Sequence, residues 1–159
     1  MSWFLFNLKL AYATEIGAAT AYRGHAAATS DPVAAARIIA IEAEELHHRA
    51  RVGEMLQELD TTPYRWLDAV FWLVGAFVGL GCRFWGDWAS AFGAAQFEWG
   101  GAGDYARCVT AAKRLGRDDL AEELRGFELQ ERAHRAYFLD LAARNWPLWS
   151  SHKRSGVVK

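Results

Sequence analysis

The sequence has little cysteine and no excess of charge of either sign. Its 2 cysteines, Cys82 and Cys108, form no CxxC pair and have no metal-binding spacing to a histidine, so we expect reduced, buried thiols in a cytoplasmic protein. Lysine and arginine total 18 against 19 acidic residues, which leaves a formal charge of -1 and no basic patch for nucleic acid. These shortages argue against a disulfide-stapled domain, a CxxC iron centre and a nucleic-acid-binding protein.

Long hydrophobic runs are also scarce. The uncharged stretch 69–82 is shorter than the roughly 20 residues of a membrane-spanning helix. No positively charged segment precedes the apolar residues at the start, so a signal peptide is not expected. The 159 residues suit one domain, and we expect a helical bundle over 1–146 followed by a basic, mobile tail over 147–159.

Hydrophobic periodicity predicts four amphipathic helices, with Asp31 or Ser30 capping the second helix and Pro32 in its first turn. The third helix is the most aromatic, and its inner stripe is predicted to include Leu80, Phe84 and Trp88. Most of its aromatic side chains are expected in the core. The glycines of 100–103 predict a kink or break in this helix. The approximate helix bounds are 3–28, 32–59, 66–99 resuming toward 113, and 118–144.

The second helix contains two ExxH pairs, and the periodicity distinguishes them. Glu45 and His48 fall within the buried stripe, whereas Glu44 and His47 lie toward the polar side. An ionised carboxylate without a partner costs several kcal/mol to bury, and one histidine does not offset that cost. Glutamate and histidine three residues apart project side by side, and oxygen with imidazole suits iron, manganese or zinc.

The same pattern occurs twice along the chain. Glu15 lies on the apolar face of the first helix, 30 residues before Glu45, and Glu98 lies 33 residues before Glu131. Glu131 and His134 form the second in-phase ExxH pair, whereas Glu128 groups with arginines and is predicted to be a solvated charge. We therefore predict an all-α, antiparallel, ferritin-like four-helix bundle with a long crossover and an aromatic-rich third helix. Two divalent cations would balance its four buried carboxylates.

This arrangement resembles the demethoxyubiquinone hydroxylase family of ferritin-like di-iron proteins over about residues 8–141. The segments that carry the resemblance are TEIGAATAYRGH around Glu15, EELHHRARVGEML around Glu45 and His48, WLVGAFVGLG leading to AAQFE at Glu98, and ELQERAH at Glu131 and His134. The segment after Glu98 departs from the family pattern and keeps only Tyr105. The resemblance implies six metal-ligating and catalytic residues: Glu15 and Glu98 as terminal ligands, Glu45 and Glu131 as bridging ligands, and His48 and His134 as one nitrogen ligand per iron.

The resemblance also implies an oxygen-dependent oxidoreductase with two iron ions, or manganese in their place. Its substrate would be an apolar, quinone-like molecule, and its electrons would come from an external donor. We expect it in the cytoplasm or at the inner face of a membrane, where aromatic side chains, helped by Lys153 and Arg154, mediate membrane contact. Exposed aromatic side chains would otherwise form the interface of a homodimer.

The sequence is also compatible with two further functions. One is a ferritin-like or rubrerythrin-like protein that binds iron or consumes peroxide without an organic substrate. The other is a structural helical protein that binds membranes but no metal. An apolar cavity that reaches the metal ligands would favour the hydroxylase, whereas a sealed, polar centre would favour iron handling.

Several neighbouring residues are candidates for supporting the ligands. Glu44 and Gln130, each one residue before its ExxH pair, are predicted to reach His134 and His48 respectively, or else to be exposed polar residues. Tyr22 and Tyr105 are predicted to be core aromatics, with gating of oxygen or relay of a proton or electron as the alternative.

Overall fold

The computed structural model describes residues 1–146, which form four α-helices and no strand. The predicted all-α four-helix bundle is therefore confirmed. The predicted tail, 147–159, lies outside the described residues, as do Lys153 and Arg154. The helices are α1 (Ser2–Ala28), α2 (Pro32–Glu58), α3 (Arg65–Arg114) and α4 (Asp118–Arg144).

Local chemistry accounts for the short connections between paired helices. The carboxylate of Asp31 accepts hydrogen bonds from the backbone N–H groups of Val33, at 2.9 Å, and Ala34, at 3.3 Å, and Pro32 occupies the first turn of α2. Gly116 adopts a φ of 70° in the turn between α3 and α4, a conformation that side-chain-bearing residues rarely adopt. Both turns therefore join neighbouring helices that run in opposite directions.

α3 consists of two helical segments that meet at Gly86. The backbone of Gly86 has φ 76° and ψ 167°, which is far from helical geometry. The first segment, 65–85, packs Phe71 against Gly17 and Gly79 against Gly24, so it runs parallel to α1. The second segment, 87–114, places Glu98 at Tyr22 and Tyr105 at Glu15, so it runs antiparallel to α1. The predicted long crossover is thus itself a helix, which we call the crossover segment (65–85).

The kink at Gly86 corrects two expectations about α3. Leu80 and Phe84, predicted to face the core, are 55% and 80% exposed, because the helical phase is lost between them and the inner stripe beyond Gly86. The helix also continues through 100–103, where a break was predicted. The break lies where a single glycine takes a left-handed φ, not where several glycines adjoin.

The aromatic side chains of the crossover segment were predicted to be core, and most are exposed. Trp66, Trp72 and Phe77 are 65%, 51% and 71% exposed, since only one face of this segment packs on α1. The exposed apolar residues form what we call the crossover surface: Trp66, Val70, Trp72, Leu73, Val74, Phe77, Leu80, Phe84 and Trp85.

Two apolar clusters fill the bundle on either side of its middle. The lower cluster includes Phe4, Leu8, Met55, Leu56 and Leu124. The upper cluster includes Tyr22, Ile38, Ile41, Phe138 and Leu141. The layer between the clusters holds four buried glutamates and two buried histidines.

The crossover segment approaches α1 closely because both helices carry glycine at their contact. A Cβ atom at Gly24 would lie 2.6 Å from the carbonyl carbon of Gly79, and a Cβ at Gly75 would meet the carbonyl oxygen of Gly17. These atoms belong to the backbone, so no side-chain rotation can relieve the overlap.

We expect Gly24→Ala to destabilise the protein by about 1–3 kcal/mol, the usual cost of overpacking a close contact. The matched control is Gly126→Ala on the outer face of α4, where a Cβ atom meets nothing within 4 Å. That control should gain about 0.5–1 kcal/mol from helix propensity. Urea unfolding followed by circular dichroism measures both, and equal effects of the two substitutions would contradict the close packing.

Candidate metal centre

Six buried side chains from all four helices meet in the middle layer of the bundle. α1 contributes Glu15, α2 contributes Glu45 and His48, α3 contributes Glu98, and α4 contributes Glu131 and His134. Each is at most 4% exposed. The structure thus brings together all six residues predicted from the sequence.

The ligand atoms of these residues form two overlapping donor groups. Within each group the atoms lie within 4.8 Å of one another. Glu45 and Glu131 belong to both groups, which is the arrangement expected of bridging carboxylates. The first donor group is Glu15, Glu45, His48 and Glu131, and the second is Glu45, Glu98, Glu131 and His134.

Both imidazole rings direct Nδ1 toward the carboxylates. His48 Nδ1 lies 3.2 Å from Glu131 Oε1 and 3.8 Å from Glu15 Oε1. His134 Nδ1 lies 2.9 Å from Glu45 Oε1 and 3.4 Å from Glu98 Oε2. The ring centroids are 6.3 Å apart, so the two rings lie side by side.

The inward-facing atoms of this cluster lack hydrogen-bond partners among the described residues. Five such atoms are fully buried: Glu45 Oε1, His48 Nδ1, Glu98 Oε2, Glu131 Oε1 and His134 Nδ1. Buried polar atoms are nearly always paired, so five orphans in one place require a partner of another kind. Three carboxylate oxygens and two imidazole nitrogens are all electron-pair donors, and this donor set fits divalent transition-metal ions.

The outer nitrogen of each histidine is held by the opposite repeat, as predicted. His48 Nε2 lies 2.8 Å from Gln130 Oε1, and His134 Nε2 contacts the Glu44 carboxylate. Both partners accept hydrogen bonds, so each Nε2 carries the proton and each Nδ1 keeps a lone pair directed inward. Gln130 is exposed and Glu44 half-buried, and both nevertheless make the predicted contact with a histidine.

Two buried tyrosines complete the polar layer. The Tyr22 hydroxyl donates to Glu98 Oε1 and the Tyr105 hydroxyl donates to Glu15 Oε1. Burial, reinforced by the nearby glutamates, raises the pKa of both phenols well above their ordinary value, so both stay protonated. Each tyrosine lies seven residues after one terminal glutamate and donates a hydrogen bond to the other. Both tyrosines lie in the core, as predicted, and each also fixes a glutamate of the metal centre.

The electrostatics of the cluster follow from burial of like charges. Burial, followed by repulsion from Glu15 and other neighbouring carboxylates, raises the pKa of Glu45 and of Glu131 well above their ordinary value. Burial disfavours the charged form of His134, but attraction to the Glu98 and Glu44 carboxylates outweighs it, and the pKa of His134 is raised. Metal-free protein therefore takes up protons here, and cations would compete with them.

Gly101 explains part of the glycine run after Glu98. A Cβ atom at this position would collide with the Glu131 carboxylate, so the absence of a side chain makes room for a bridging ligand. The sequence predicted a kink or break at these glycines. The helix is regular here, and the glycine serves a side chain of α4.

Glu128 was predicted to be a solvated charge and is buried instead. Its side chain is 2% exposed and pairs with Arg125 at 2.6 Å and Arg132 at 2.7 Å. Burial opposes ionisation, but hydrogen bonds from Arg132 and Arg125 outweigh it and lower the pKa of Glu128. The arginines at positions i−3 and i+4 signalled this pairing, and their side chains cover the carboxylate. Glu128 takes no part in the metal centre.

Comparison with known families agrees with this geometry. The family model described as "Ubiquinone biosynthesis protein COQ7" matches residues 7–154. The chain belongs to the COQ7 family. This is a ferritin-like di-iron family, and its role in ubiquinone biosynthesis commonly involves hydroxylation. Searches of curated proteins and of solved structures each found no match to the chain.

Metal-free protein should show a pH dependence that depends on Glu131. Because its folded-state pKa is raised above the ordinary 4.5, Glu131 contributes stability that is fully present below about pH 4.5 and is lost as pH rises through the folded value. Glu131→Gln removes this loss. We expect the variant to exceed the wild type in free energy of unfolding by about 1–3 kcal/mol at pH 8, with the difference shrinking toward pH 4.5.

Urea unfolding in a chelating buffer measures this difference across the pH range. The matched control, Glu122→Gln at an exposed position of α4, should show a difference close to zero at every pH. A Glu131→Gln variant that is less stable than the wild type at pH 8 without metal would contradict the assigned electrostatics.

Proposed function

We propose that this protein is an oxygen-dependent di-iron hydroxylase of ubiquinone biosynthesis that acts on an apolar, quinone-like substrate. The observation that carries the proposal is a cavity that opens directly onto the carboxylates of the metal centre. Membership of the COQ7 family supports the reaction class, and the shape and chemistry of the cavity support an organic substrate.

The cavity lies between α1 and α3 and has a volume of about 380 Å³. It is mainly apolar, and all four glutamates of the candidate metal centre line it, whereas neither of its histidines does. A cavity of roughly 150 Å³ already accommodates benzene, so a substituted ring fits here. The other lining residues are Thr14, Ala18, Tyr22, Gly93, Gln96, Phe97, Gly100, Gly101 and Asp104.

The six buried side chains would hold the metal ions as the sequence predicted. Glu45 and Glu131 would bridge two ions, Glu15 with His48 would complete one position, and Glu98 with His134 the other. A pair of ferrous ions bound in this way supplies electrons to dioxygen that a single ion could not. The imidazoles lie on the side away from the cavity, which leaves the carboxylate side open to oxygen and substrate.

The chain's own residues prepare the site for this chemistry. The hydroxyls of Tyr22 and Tyr105 each donate a hydrogen bond to a terminal carboxylate, so neither glutamate can swing freely into the cavity. Gly93 presents open space to the cavity, because a Cβ atom there meets nothing within 4 Å. Apolar walls exclude water, so that reducing power is not lost to side reactions.

The electrons must come from outside the metal centre. Cys82 and Cys108 are free and buried, and they lie apart in the sequence with no CxxC pair. A rubrerythrin-like protein would use an iron centre held by CxxC cysteines as its electron partner. We therefore infer that another protein or the substrate itself supplies the reductant. The apolar cavity also disfavours the alternative of iron handling without an organic substrate.

Gly93→Leu should block the cavity while leaving the metal centre intact. We expect kcat/KM for a quinone-like substrate to fall about tenfold or more, since the leucine side chain occupies substrate space. Metal content per chain should stay at the wild-type value. The matched control is Gly126→Leu, at an exposed helical glycine of α4, where both quantities should be unchanged.

Oxygen consumption with a short-chain benzoquinone and a chemical reductant measures turnover, and elemental analysis measures the metal. Unchanged turnover in Gly93→Leu, with metal retained, would remove the cavity from the proposed function.

We further propose that the crossover surface contacts a membrane, where a lipid-soluble substrate would be found. By length and composition alone, α3 is apolar enough to cross a membrane. The position of the crossover surface also supports membrane contact. Phe97 lines both the metal-centre cavity and a small pocket that borders Val78 and Cys82, so the inner face of the crossover segment adjoins the cavity wall and its outer face carries the exposed aromatics.

Phe77→Lys/Phe84→Lys should reduce binding to phospholipid vesicles about tenfold or more, because two large apolar contacts are replaced by hydrated charges. The matched control is Ile39→Lys/Leu129→Lys, which alters exposed apolar residues of α2 and α4. Vesicle flotation measures binding, and size-exclusion chromatography without vesicles measures self-association. If the first variant keeps vesicle binding but loses a wild-type dimer, the crossover surface is a contact between copies instead.

A further inference from the structure

The two repeats place matching groups around the two donor groups, with one exception. Each donor group has a terminal glutamate held by a tyrosine and a histidine held by the residue that precedes the opposite ExxH pair. For His134 that residue is Glu44, and for His48 it is Gln130. One histidine therefore donates to a carboxylate and the other to a neutral amide.

Glu44 is paired on both of its carboxylate oxygens. Arg37 Nη1 lies 2.7 Å from Glu44 Oε1, while the Glu44 Oε2 atom contacts His134 Nε2. Gln130 carries no charge, and its carbonyl oxygen accepts the N–H of His48 at 2.8 Å. A carboxylate acceptor draws the N–H proton more strongly than an amide does, so it makes the opposite ring nitrogen a stronger donor to a metal ion.

We propose that the two metal ions are inequivalent, and that the second donor group binds its ion more tightly and fills first. Glu44 and Gln130 act as positioning residues that set this difference through His134 and His48. The inference rests on the proposed function to the extent that the centre must hold two metal ions. It goes beyond that function, because the six ligands could equally hold two metal ions of equal affinity.

An exchange of the two residues tests the proposal. Full-length metal-free protein is titrated anaerobically with ferrous iron against a chromophoric chelator, which yields two stepwise binding constants. Glu44→Gln should weaken the first constant about 10- to 100-fold, the usual effect of losing such a partner. Gln130→Glu should leave the first constant unchanged and tighten the second about tenfold. The double exchange Glu44→Gln/Gln130→Glu should restore two well-separated constants.

Matched controls separate this effect from net charge. Glu54→Gln and Gln57→Glu make the same substitutions at exposed positions of α2 and should leave both constants unchanged. If Glu44 and Gln130 only supported folding, each single substitution would weaken iron binding. The double exchange would then not recover the tight first binding constant.

Mössbauer spectra of protein with one equivalent of ferrous ⁵⁷Fe provide a readout independent of activity. The wild type should show one dominant quadrupole doublet, Gln130→Glu two comparable doublets, and the double exchange one dominant doublet again. Two equally filled positions in the wild type, or binding constants unaffected by Glu44→Gln, would overturn the proposal while leaving the proposed function standing. A wild type that binds no iron would overturn both.

Discussion

Four glutamate carboxylates share the interior of one bundle, and their mutual repulsion is the constraint on which the rest of the structure depends. A buried carboxylate is tolerated when it is protonated, hydrogen-bonded or matched by positive charge. Tyr22 and Tyr105 satisfy one oxygen on each terminal glutamate, and no comparable donor within residues 1–146 reaches the inward atoms. Two divalent cations would neutralise all four charges at once, so metal binding and the stability of the middle layer become one property.

The repeat divides the centre into two sides with different tasks. α2 and α4 carry the ExxH pairs, and the outer nitrogens of their histidines are held across the bundle by Glu44 and Gln130. α1 and α3 carry the terminal glutamates and the tyrosines, and the cavity lies between these two helices. Ligand orientation and substrate access are therefore built from different helices, and the glycines that open the cavity need not disturb the histidines.

The sequence predicted the bundle and all six clustered residues because their signal is periodic. Glu45, His48, Glu131 and His134 lie in phase with large apolar residues, and helical geometry then brings them to one layer. The Gly86 kink was missed, because a change of direction at one glycine leaves no periodic trace and Leu80 and Phe84 continue the apparent stripe. Glu128 was misassigned, since whether two arginines expose or cover a carboxylate depends on rotamers. The role of Gly101 depends on a side chain 30 residues away, beyond the range of local patterns.

Crystals of the protein grown anaerobically with ferrous iron, with diffraction recorded on both sides of the iron absorption edge, test the central claim most directly. The anomalous difference map should show two peaks about 3.5–4 Å apart, both bordered by Glu45 and Glu131, with one next to His48 and the other next to His134. A map without a peak in the middle layer of the bundle, or with iron bound only at surface carboxylates, would contradict the account.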